Sequence, residues 1–274
     1  MTDKSNFFEE PIRKVEELFQ YQKDGWIYRG QRDSQWKLKT TLERACDNYG
    51  HLLNKARDNE NVLLRDFQRK YHHYSQYIPD SDHTLEWLSL MQHYGAPTRL
   101  LDFTYSIVIA AYFALENAEK DCSVWAINGI WAIEKSADCF RKGSQEWKFL
   151  KGDITEKNEK IFNKAFRRHN PKTFACQMNP FRLNERLTIQ KGVFMCPGNV
   201  ALPFECNLKN LKEWNVKKNI VKIIIPHQLK RKSLDFLSSM SITRSTLFPG
   251  LDGFAQSLSI SLPVKWGSIG GRDS

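Results

Sequence analysis

Two short segments carry the residue types expected of a ligand site. Residues 92–104 are polar, charged and rich in turn-forming residues, although they lie between two apolar helical patterns. Residues 28–31, Tyr-Arg-Gly-Gln, place an arginine after a short apolar and aromatic run. An arginine can hold a phosphate through two hydrogen bonds, and a glycine leaves backbone groups open to a ligand. We expect the two segments to form a pocket for an anionic, phosphate-bearing ligand.

Hydrophobic spacing predicts the elements that position these segments. An opening helix around Val15–Phe19 and a strand at Trp26–Tyr28 precede Arg29, and helices are predicted within 47–77. Asp82 is the expected cap of a helix that Gly95 and Pro97 end. Residues 107–115 are apolar almost all round, which predicts a buried helix capped by Thr104 or Ser106.

The second half of the chain predicts further strands and helices. Residues 123–133 read as two strands joined by a hairpin turn at Asn128-Gly129. Residues 187–195 alternate like a strand, and 221–225 form a β-branched run that Pro226 ends. A helix is predicted over 229–240, a basic helical insertion over about 135–180, and a frayed tail from Gly267 onward.

Length and composition fit one large globular domain or two small ones. The chain has 274 residues, of which 41% are hydrophobic and 12% aromatic, enough for a sizeable core. No run of about 18 apolar residues is present, and residues 1–10 are polar and acidic. We therefore expect a cytoplasmic protein with no membrane association.

The six cysteines are widely and irregularly spaced, and no Cys-x-x-Cys pair occurs. This spacing disfavours a zinc ribbon or a disulfide scaffold, so we expect reduced core thiols and no metal. A catalytic cysteine is the lesser alternative.

Charge is divided unequally along the chain. Residues 151–274 hold 21 Lys and Arg against 9 Asp and Glu, a net charge of +12, whereas residues 1–150 hold 20 against 22, a net charge of −2. A basic half of this kind attracts polyanions. Basic runs at 167–169, 217–218 and 230–232 lie near the aromatic residues Phe166, Trp214 and Phe236, as in single-strand binders. A solvated basic face, or one that docks an acidic protein, is the alternative.

The motifs together resemble the FRG domain family, named for its aromatic-Arg-Gly motif. Tyr28-Arg29-Gly30-Gln31 is similar to the start of the family pattern, and residues 92–104 with 111–114 are similar to its centre. Residues 190–194 and 245–253 look like its later motifs, so the resemblance extends over about residues 24–258.

A weaker resemblance links the chain to arginine-type ADP-ribosyltransferases. Tyr28-Arg29-Gly30 is similar to their aromatic-Arg-Gly strand end, and Thr104-Tyr105-Ser106 before an alanine-rich helix is similar to their Ser/Thr element. At the position of their acidic motif this chain has Gln190-Lys191-Gly192, without a carboxylate. The resemblance implies a single domain over residues 1–274 of the α+β class, with a split β-sheet core and flanking helices, and NAD as co-substrate.

The resemblance also implies roles for individual residues. Arg29 would bind the pyrophosphate, Gly30 the nicotinamide amide, and Thr104 or Ser106 a ribose hydroxyl. Asp102 or Glu185 would stabilise the cationic sugar or accept a proton, with Gln190 orienting the ribose or the acceptor. The whole expected NAD-binding set is Tyr28, Arg29, Gly30, Gln31, Gln92, Tyr94, Thr98, Arg99 and Thr104.

Two of these residues have structural alternatives. Arg99 and Asp102 are three residues apart and form either part of the ligand site or an ion pair that clamps the turn. His93 is either a proton carrier near neutral pH or a hydrogen-bonded residue that fixes a helix end.

The leading functional hypothesis is an NAD-dependent ADP-ribosyltransferase that modifies nucleic acid, with RNA favoured over DNA. Because such an enzyme would damage its own host, we expect a neutralising protein partner, as in toxin-antitoxin or phage-defence systems. The alternative is a non-enzymatic nucleotide-binding sensor or adaptor that docks a partner through its basic half. A metal-dependent nuclease is disfavoured, because no paired carboxylates or His-x-x-x-His spacing lie around the motifs.

Overall fold

The computed structural model describes residues 7–152 and 159–258, which form one mixed seven-stranded sheet with helices on both faces. The strand order is β1-β7-β4-β2-β3-β6-β5, with β1 parallel to β7 and the other pairs antiparallel. The strands are β1 Glu9–Pro11, β2 Trp26–Gln31, β3 Leu101–Thr104, β4 Cys122–Asn128, β5 Ala175–Met178, β6 Gly192–Pro197 and β7 Ile220–Ile225. The α+β class predicted from the sequence is confirmed.

Helices connect most of these strands. Short 3-10 helices lie at Val15–Tyr21, Leu53–Lys55 and His227–Leu229. The α-helices are α1 Thr41–Asn48, α2 Ala56–Tyr71, α3 Thr84–His93, α4 Ile107–Leu115, α5 Gly129–Ala137, α6 Gln145–Leu150, α7 Ile161–Phe166, α8 Glu185–Ile189, α9 Phe204–Lys209, α10 Lys230–Ser239, α11 Arg244–Leu247 and α12 Leu251–Leu258.

Alternation along the strands divides the hydrophobic core between the two faces of the sheet. Ile27 of β2 belongs to a larger core with residues of α2, α3, α5, α6 and α7. Trp26 and Tyr28 belong to a second core with residues of α4 and α10. Since successive strand residues point to opposite faces, both faces of β2 are covered. By the same alternation, Arg29 lies on the face of Ile27 and Gly30 on the face of Tyr28.

The sheet has a seam between β2 and β3. The two strands pair only at Tyr28 and Thr104, whereas β2 pairs with β4 along its whole length, from Trp26 to Gln31. On its other side, β3 pairs with β6 along its whole length, from Leu101 to Thr104. The backbone beside Arg29 and Gly30 therefore lacks a neighbouring strand on the β3 side, and this is the position at which the sequence places its site residues.

Gly30 allows helix α4 to lie directly on the sheet. A Cβ atom at this position would stand 2.1 Å from the backbone oxygen of Ala110 and 2.5 Å from the backbone nitrogen of Ala114. Both distances are far inside van der Waals contact, so any side chain here would push helix and strand apart. The missing side chain of Gly30 therefore serves the packing of α4.

The predicted hairpin at Asn128-Gly129 is wrong. Residues 122–128 form β4, and Gly129 begins helix α5, with the Asn128 side chain accepting a hydrogen bond from the backbone nitrogen of Trp131. Asparagine is as well suited to cap a helix as to turn a hairpin. The Asn-Gly pair therefore marks the end of one element without specifying the next.

Two further boundaries differ from the predictions. Residues 187–195 are not one strand: α8 ends at Ile189, Lys191 adopts a φ of 46°, and β6 begins at Gly192. Asp82 does not cap α3, because the N-cap residue is His83 and it makes no side-chain capping bond. Elsewhere the 3-10 helix at Val15–Tyr21, strand β7 and helix α10 agree with the predicted elements.

The segment predicted as a basic insertion contributes to the main core. Phe149 of α6, Phe162 and Phe166 of α7, and Phe174 before β5 are each at most 1% exposed. Lys157 in this segment and the tail from Gly267 lie outside the described residues.

Candidate functional site

A polar pocket lies at the seam between β2 and β3. It has a volume of about 200 Å³ and joins residues from both expected segments with two from the second half of the chain. Its lining consists of Tyr28, Arg29, Gly30, Asp102, Phe103, Thr104, Phe113, Arg186 and Gln190. The structure thus brings together the aromatic-Arg-Gly motif, the central motif and Gln190.

Arg29 crosses the seam. Its Nη1 donates a 2.7 Å hydrogen bond to the backbone oxygen of Asp102, and its Nε is buried with no hydrogen-bond partner among the described residues. Burial lowers the pKa of Arg29 to about 10, and the nearby Arg44 lowers it further while Asp102 opposes the shift. The guanidinium is therefore held in a setting that penalises its charge. An anionic ligand at the pocket would relieve this penalty.

Asp102 supplies the carboxylate of the pocket. Its side chain is exposed, and its Oδ2 accepts a 2.8 Å hydrogen bond from Nε2 of Gln92. The amide of Gln92 is oriented in turn, because its Oε1 accepts from the hydroxyls of Thr98 and Thr41. Gln92 therefore positions the carboxylate.

A larger basic pocket adjoins the first and shares Arg29, Gly30 and Phe113 with it. Its volume is about 810 Å³, within the range of pockets that bind small organic ligands. The lining carries five cationic side chains: Arg29, Arg32, Lys37, Lys39 and Arg44. Lys39 is paired with Asp47 at 2.6 Å, and Arg32 lies over the ring of Trp36 at 4.9 Å. The composition suits a phosphate-bearing ligand with an aromatic or sugar group.

His93 lines a third and smaller cavity, together with Gln92, Asp102, Arg186 and Gln190. Nδ1 of His93 is buried and has no partner among the residues described. Burial lowers the pKa of His93, and the charge of Arg186 adds to the effect. A neutral imidazole in a cavity that Asp102 also lines is compatible with a proton carrier, and within residues 7–152 and 159–258 Nδ1 makes no hydrogen bond that would fix a helix end.

Thr104 and Ser106 do not present free hydroxyls to the pocket. Thr104 Oγ1 donates to the backbone oxygen of Gln190 at 2.7 Å and accepts from the backbone nitrogen of Ser106 at 3.1 Å. Ser106 is the N-cap residue of α4 but makes no side-chain capping bond and does not line the pocket. The backbone N–H of Ile107, the first residue of α4, instead donates a hydrogen bond to Oε1 of Gln22. These residues build the turn between β3 and α4.

Arg99 and Thr98 were expected to bind NAD, but both are buried. Arg99 donates from Nε to both carboxylate oxygens of Glu60, at 2.8 and 3.0 Å, and from Nη1 to the backbone oxygen of Phe166. The alternative ion pair with Asp102 is also wrong, since Glu60 is the partner. Arg99 thus ties the central motif to α2 and to the end of α7.

Other expected residues have structural roles or lie outside the pockets. The Tyr28 hydroxyl donates to Tyr21, and the Gln31 side chain bonds Trp125 and Lys37, although Gln31 also lines the basic pocket. Tyr94 and Glu185 are exposed and line none of the cavities at the seam. Gln190 lines the pocket while its Nε2 donates to the backbone oxygen of Leu247.

Sequence reasoning missed the cations that give the cleft its charge. Arg32, Lys37, Lys39 and Arg44 lie in the half of the chain with a net charge of −2, so an average over that half conceals them. Arg186 reaches the pocket from α8 and lies over the ring of Phe248 at 4.9 Å. Arg32, Lys37, Lys39 and Arg44 lie close to Arg29 in the sequence, and this closeness could have identified them as part of the site. No comparable signal points to Arg186.

The aromatic residues expected beside the basic runs do not form a stacking surface. Phe166 is 1% exposed, Phe236 packs against Phe19, and Trp214 packs against Phe7. Arg167 is also engaged, since its Nη2 donates to Asn61. Phe166 is therefore not accessible for base stacking, whereas Trp214 and Phe236 are half-buried.

In the described ranges, no helix has the length and apolar character needed to cross a bilayer. Comparisons with curated proteins and with solved structures gave no match. The FRG domain family model matches residues 24–122, a range that includes β2, β3, α4 and the residues Arg29 and Asp102. Arg186 and Gln190 lie beyond the matched range. The chain is therefore similar to the FRG domain family over about a third of its length, and the matched part supplies both strands of the seam.

Proposed function

We propose that this protein is an NAD-dependent ADP-ribosyltransferase that modifies nucleic acid, with RNA as the favoured acceptor. The observation that carries the proposal is the arrangement at the seam, where a partly unpaired Arg29, the carboxylate of Asp102 and the amide of Gln190 line one pocket.

The donor would occupy the two adjoining pockets. Two phosphates need cations, and Arg29 lies at the junction with Arg44, Arg32 and Lys37 beyond it. The unpartnered Nε and the free edge of the guanidinium can hold a phosphate with two hydrogen bonds. The nicotinamide ribose would then lie in the smaller pocket beside Asp102.

Asp102 would carry the chemistry. The bond from the ribose C1′ atom to the pyridinium nitrogen breaks, and its electron pair leaves with nicotinamide. The exposed carboxylate of Asp102 stabilises the cationic sugar and takes the proton of the acceptor as the new bond to C1′ forms. Glu185, the other expected carboxylate, lies outside the pocket, so Asp102 is preferred.

The acceptor is assigned from charge. Arg32 and Lys37 at the cleft, and the net charge of +12 in residues 151–274, would both attract a polyanion. Phe166 is buried, so the proposal does not include base stacking on this residue. A neutralising protein partner is retained, because uncontrolled modification of RNA would harm the host.

Labelled NAD tests the proposal. The protein is incubated with NAD carrying label on the adenylate phosphate and with total RNA, DNA or protein, and the acceptor is analysed by mass for an added ADP-ribose. We expect transfer to RNA, a fall of about 100-fold or more in rate for Asp102→Asn, and no change for the matched control Glu185→Gln. Intact NAD and no labelled acceptor of any kind would refute the proposal.

One observation favours a second candidate, a nucleotide-binding sensor without catalysis. The Thr104 hydroxyl, expected to contact ribose, already donates its proton to the backbone oxygen of Gln190 and accepts from the backbone nitrogen of Ser106. Saturable binding of NAD by calorimetry, without release of nicotinamide over long incubation with RNA, would support the sensor. Release of nicotinamide would exclude it.

A further inference from the structure

Three ionisable side chains meet in the interior near the start of α3. His83, Glu86 and Glu159 are 6%, 4% and 0% exposed. His83 Nδ1 lies 3.7 Å from Glu86 Oε2 and 3.9 Å from Glu159 Oε2, and one ligand atom of each residue lies within 4.8 Å of the others. These separations are longer than hydrogen bonds, so the three groups surround a point and do not bond one another.

The remaining atoms of the two carboxylates are already engaged. Glu86 Oε1 accepts a 2.7 Å hydrogen bond from the Tyr77 hydroxyl, and Glu159 Oε1 accepts a 2.9 Å bond from the backbone nitrogen of Glu86. The opposite oxygens, both Oε2, face His83. Glu159 Oε2 is buried and has no hydrogen-bond partner among the described residues.

The charges of the cluster do not balance. Two carboxylates that are 4% and 0% exposed face a single imidazole nitrogen. By contrast, the buried carboxylate of Glu60 is paired with the guanidinium of Arg99. Within residues 7–152 and 159–258, Glu86 and Glu159 share one histidine as their ion-pair partner.

We propose that His83, Glu86 and Glu159 bind a divalent metal ion, with Zn²⁺ as the occupant. A neutral imidazole and two carboxylates form a nitrogen and oxygen ligand set that zinc accepts, and the ion cancels both negative charges. Zinc bonds of about 2.0–2.2 Å place neighbouring ligand atoms about 3.4 Å apart. The 3.7 and 3.9 Å separations from His83 require a small contraction, and the two carboxylate oxygens, which lie within 4.8 Å of each other, would have to approach by about 1.4 Å at most.

The metal would have a structural role in positioning the candidate site. Helix α3 carries Glu86 in its first turn and Gln92 and His93 in its last, so an ion that fixes the start of the helix also fixes these residues. Glu159 would join the ion to the segment before α7. A cavity of about 520 Å³ lined by Tyr77, Glu86 and Ser89 adjoins the cluster and offers a route of entry.

Metal content and stability test the site without reference to any activity. The intact chain is purified without a metal-affinity step, dialysed, and analysed by plasma mass spectrometry and by thermal unfolding with and without a chelator. The same measurements are made on His83→Gln and Glu159→Gln. Glu43→Gln is the matched control, because Glu43 is also buried but accepts from the backbone nitrogen of Phe204 elsewhere in the fold.

We expect close to one zinc per chain in the wild type and in Glu43→Gln, and less than about a tenth of that in the two cluster variants. Chelation should lower the wild-type Tm by about 5–10 °C, and added Zn²⁺ should restore it. The chelator test needs no substitution, so it stands even if a variant fails to fold. Absence of metal with a Tm that ignores both chelator and zinc, or equal zinc in Glu159→Gln, would overturn the proposal.

Discussion

Replacing Arg29 by methionine should stabilise the folded protein while it weakens ligand binding. Burial and Arg44 lower the pKa of Arg29 from 12.5 to about 10, which corresponds to a penalty on the order of 3 kcal/mol for keeping the guanidinium charged in the folded state. The penalty applies in full at every pH below about 10, so an assay at neutral pH detects it. Methionine has a similar length and carries no charge.

One contact is lost in this variant. The Nη1 bond to the backbone oxygen of Asp102 contributes about 1–2 kcal/mol, because the acceptor remains partly enclosed. The net gain is then about 1–2 kcal/mol, and the Tm should rise by roughly 2–6 °C in the absence of ligand. Differential scanning calorimetry without and with NAD measures both effects, and the rise in Tm caused by NAD should disappear.

Arg99→Met is the matched control, since Arg99 is also a buried arginine but is paired with Glu60. Removing a cation from a buried pair leaves an uncompensated carboxylate, so this variant should lose about 3–5 kcal/mol. An Arg29→Met protein that unfolds several degrees below the wild type would refute this prediction and show that Arg29 is a structural brace like Arg99.

Three further predictions concern packing, pH and thiols. Gly30→Ala should cost about 3 kcal/mol by urea unfolding, because its Cβ would stand 2.1 Å from the Ala110 oxygen, and an unchanged midpoint would contradict the packing argument. The lowered pKa of His93 means that the unfolded state binds more protons below its ordinary value of 6.5, so stability is lost as the pH falls. The fall in Tm from about pH 7 to about pH 5 should therefore be smaller in His93→Gln than in the wild type, and equal falls would refute this. Cys206 is exposed whereas the other cysteines are buried or half-buried, so a thiol reagent should modify one cysteine quickly in the native protein, and Cys206→Ser should remove that phase.

The predictions that succeeded rest on local sequence signals. Residues 107–115 are apolar almost all round and form α4, buried between the sheet and α10, and the β-branched run ending at Pro226 forms β7. Arg29 and Asp102 were placed together because each belongs to a short polar motif between apolar elements. In these cases the local pattern is compatible with one kind of element only, so tertiary contacts did not change the predicted structure.

The predictions that failed depend on partners far away in the chain. Arg99 was assigned to the ligand because its partner Glu60 lies 39 residues earlier, and no local signal connects them. Asn128 has two equally good local uses, and only the packing of α5 decides between them. Arg44 and Arg186 join the cleft through the tertiary fold, as does the approach of Glu159 to His83.

The seam between β2 and β3 also determines how a bound molecule would affect the folding of the whole sheet. On one side of it lie β1, β7, β4 and β2, and on the other β3, β6 and β5, joined within the ladder by Tyr28 and Thr104 alone. Each group can therefore open by itself with little loss of strand pairing in the other. A molecule that contacts both Arg29 and Asp102 would connect the groups, and amide hydrogen exchange in β3 and β6 should slow to the rate of global unfolding when the pocket is filled.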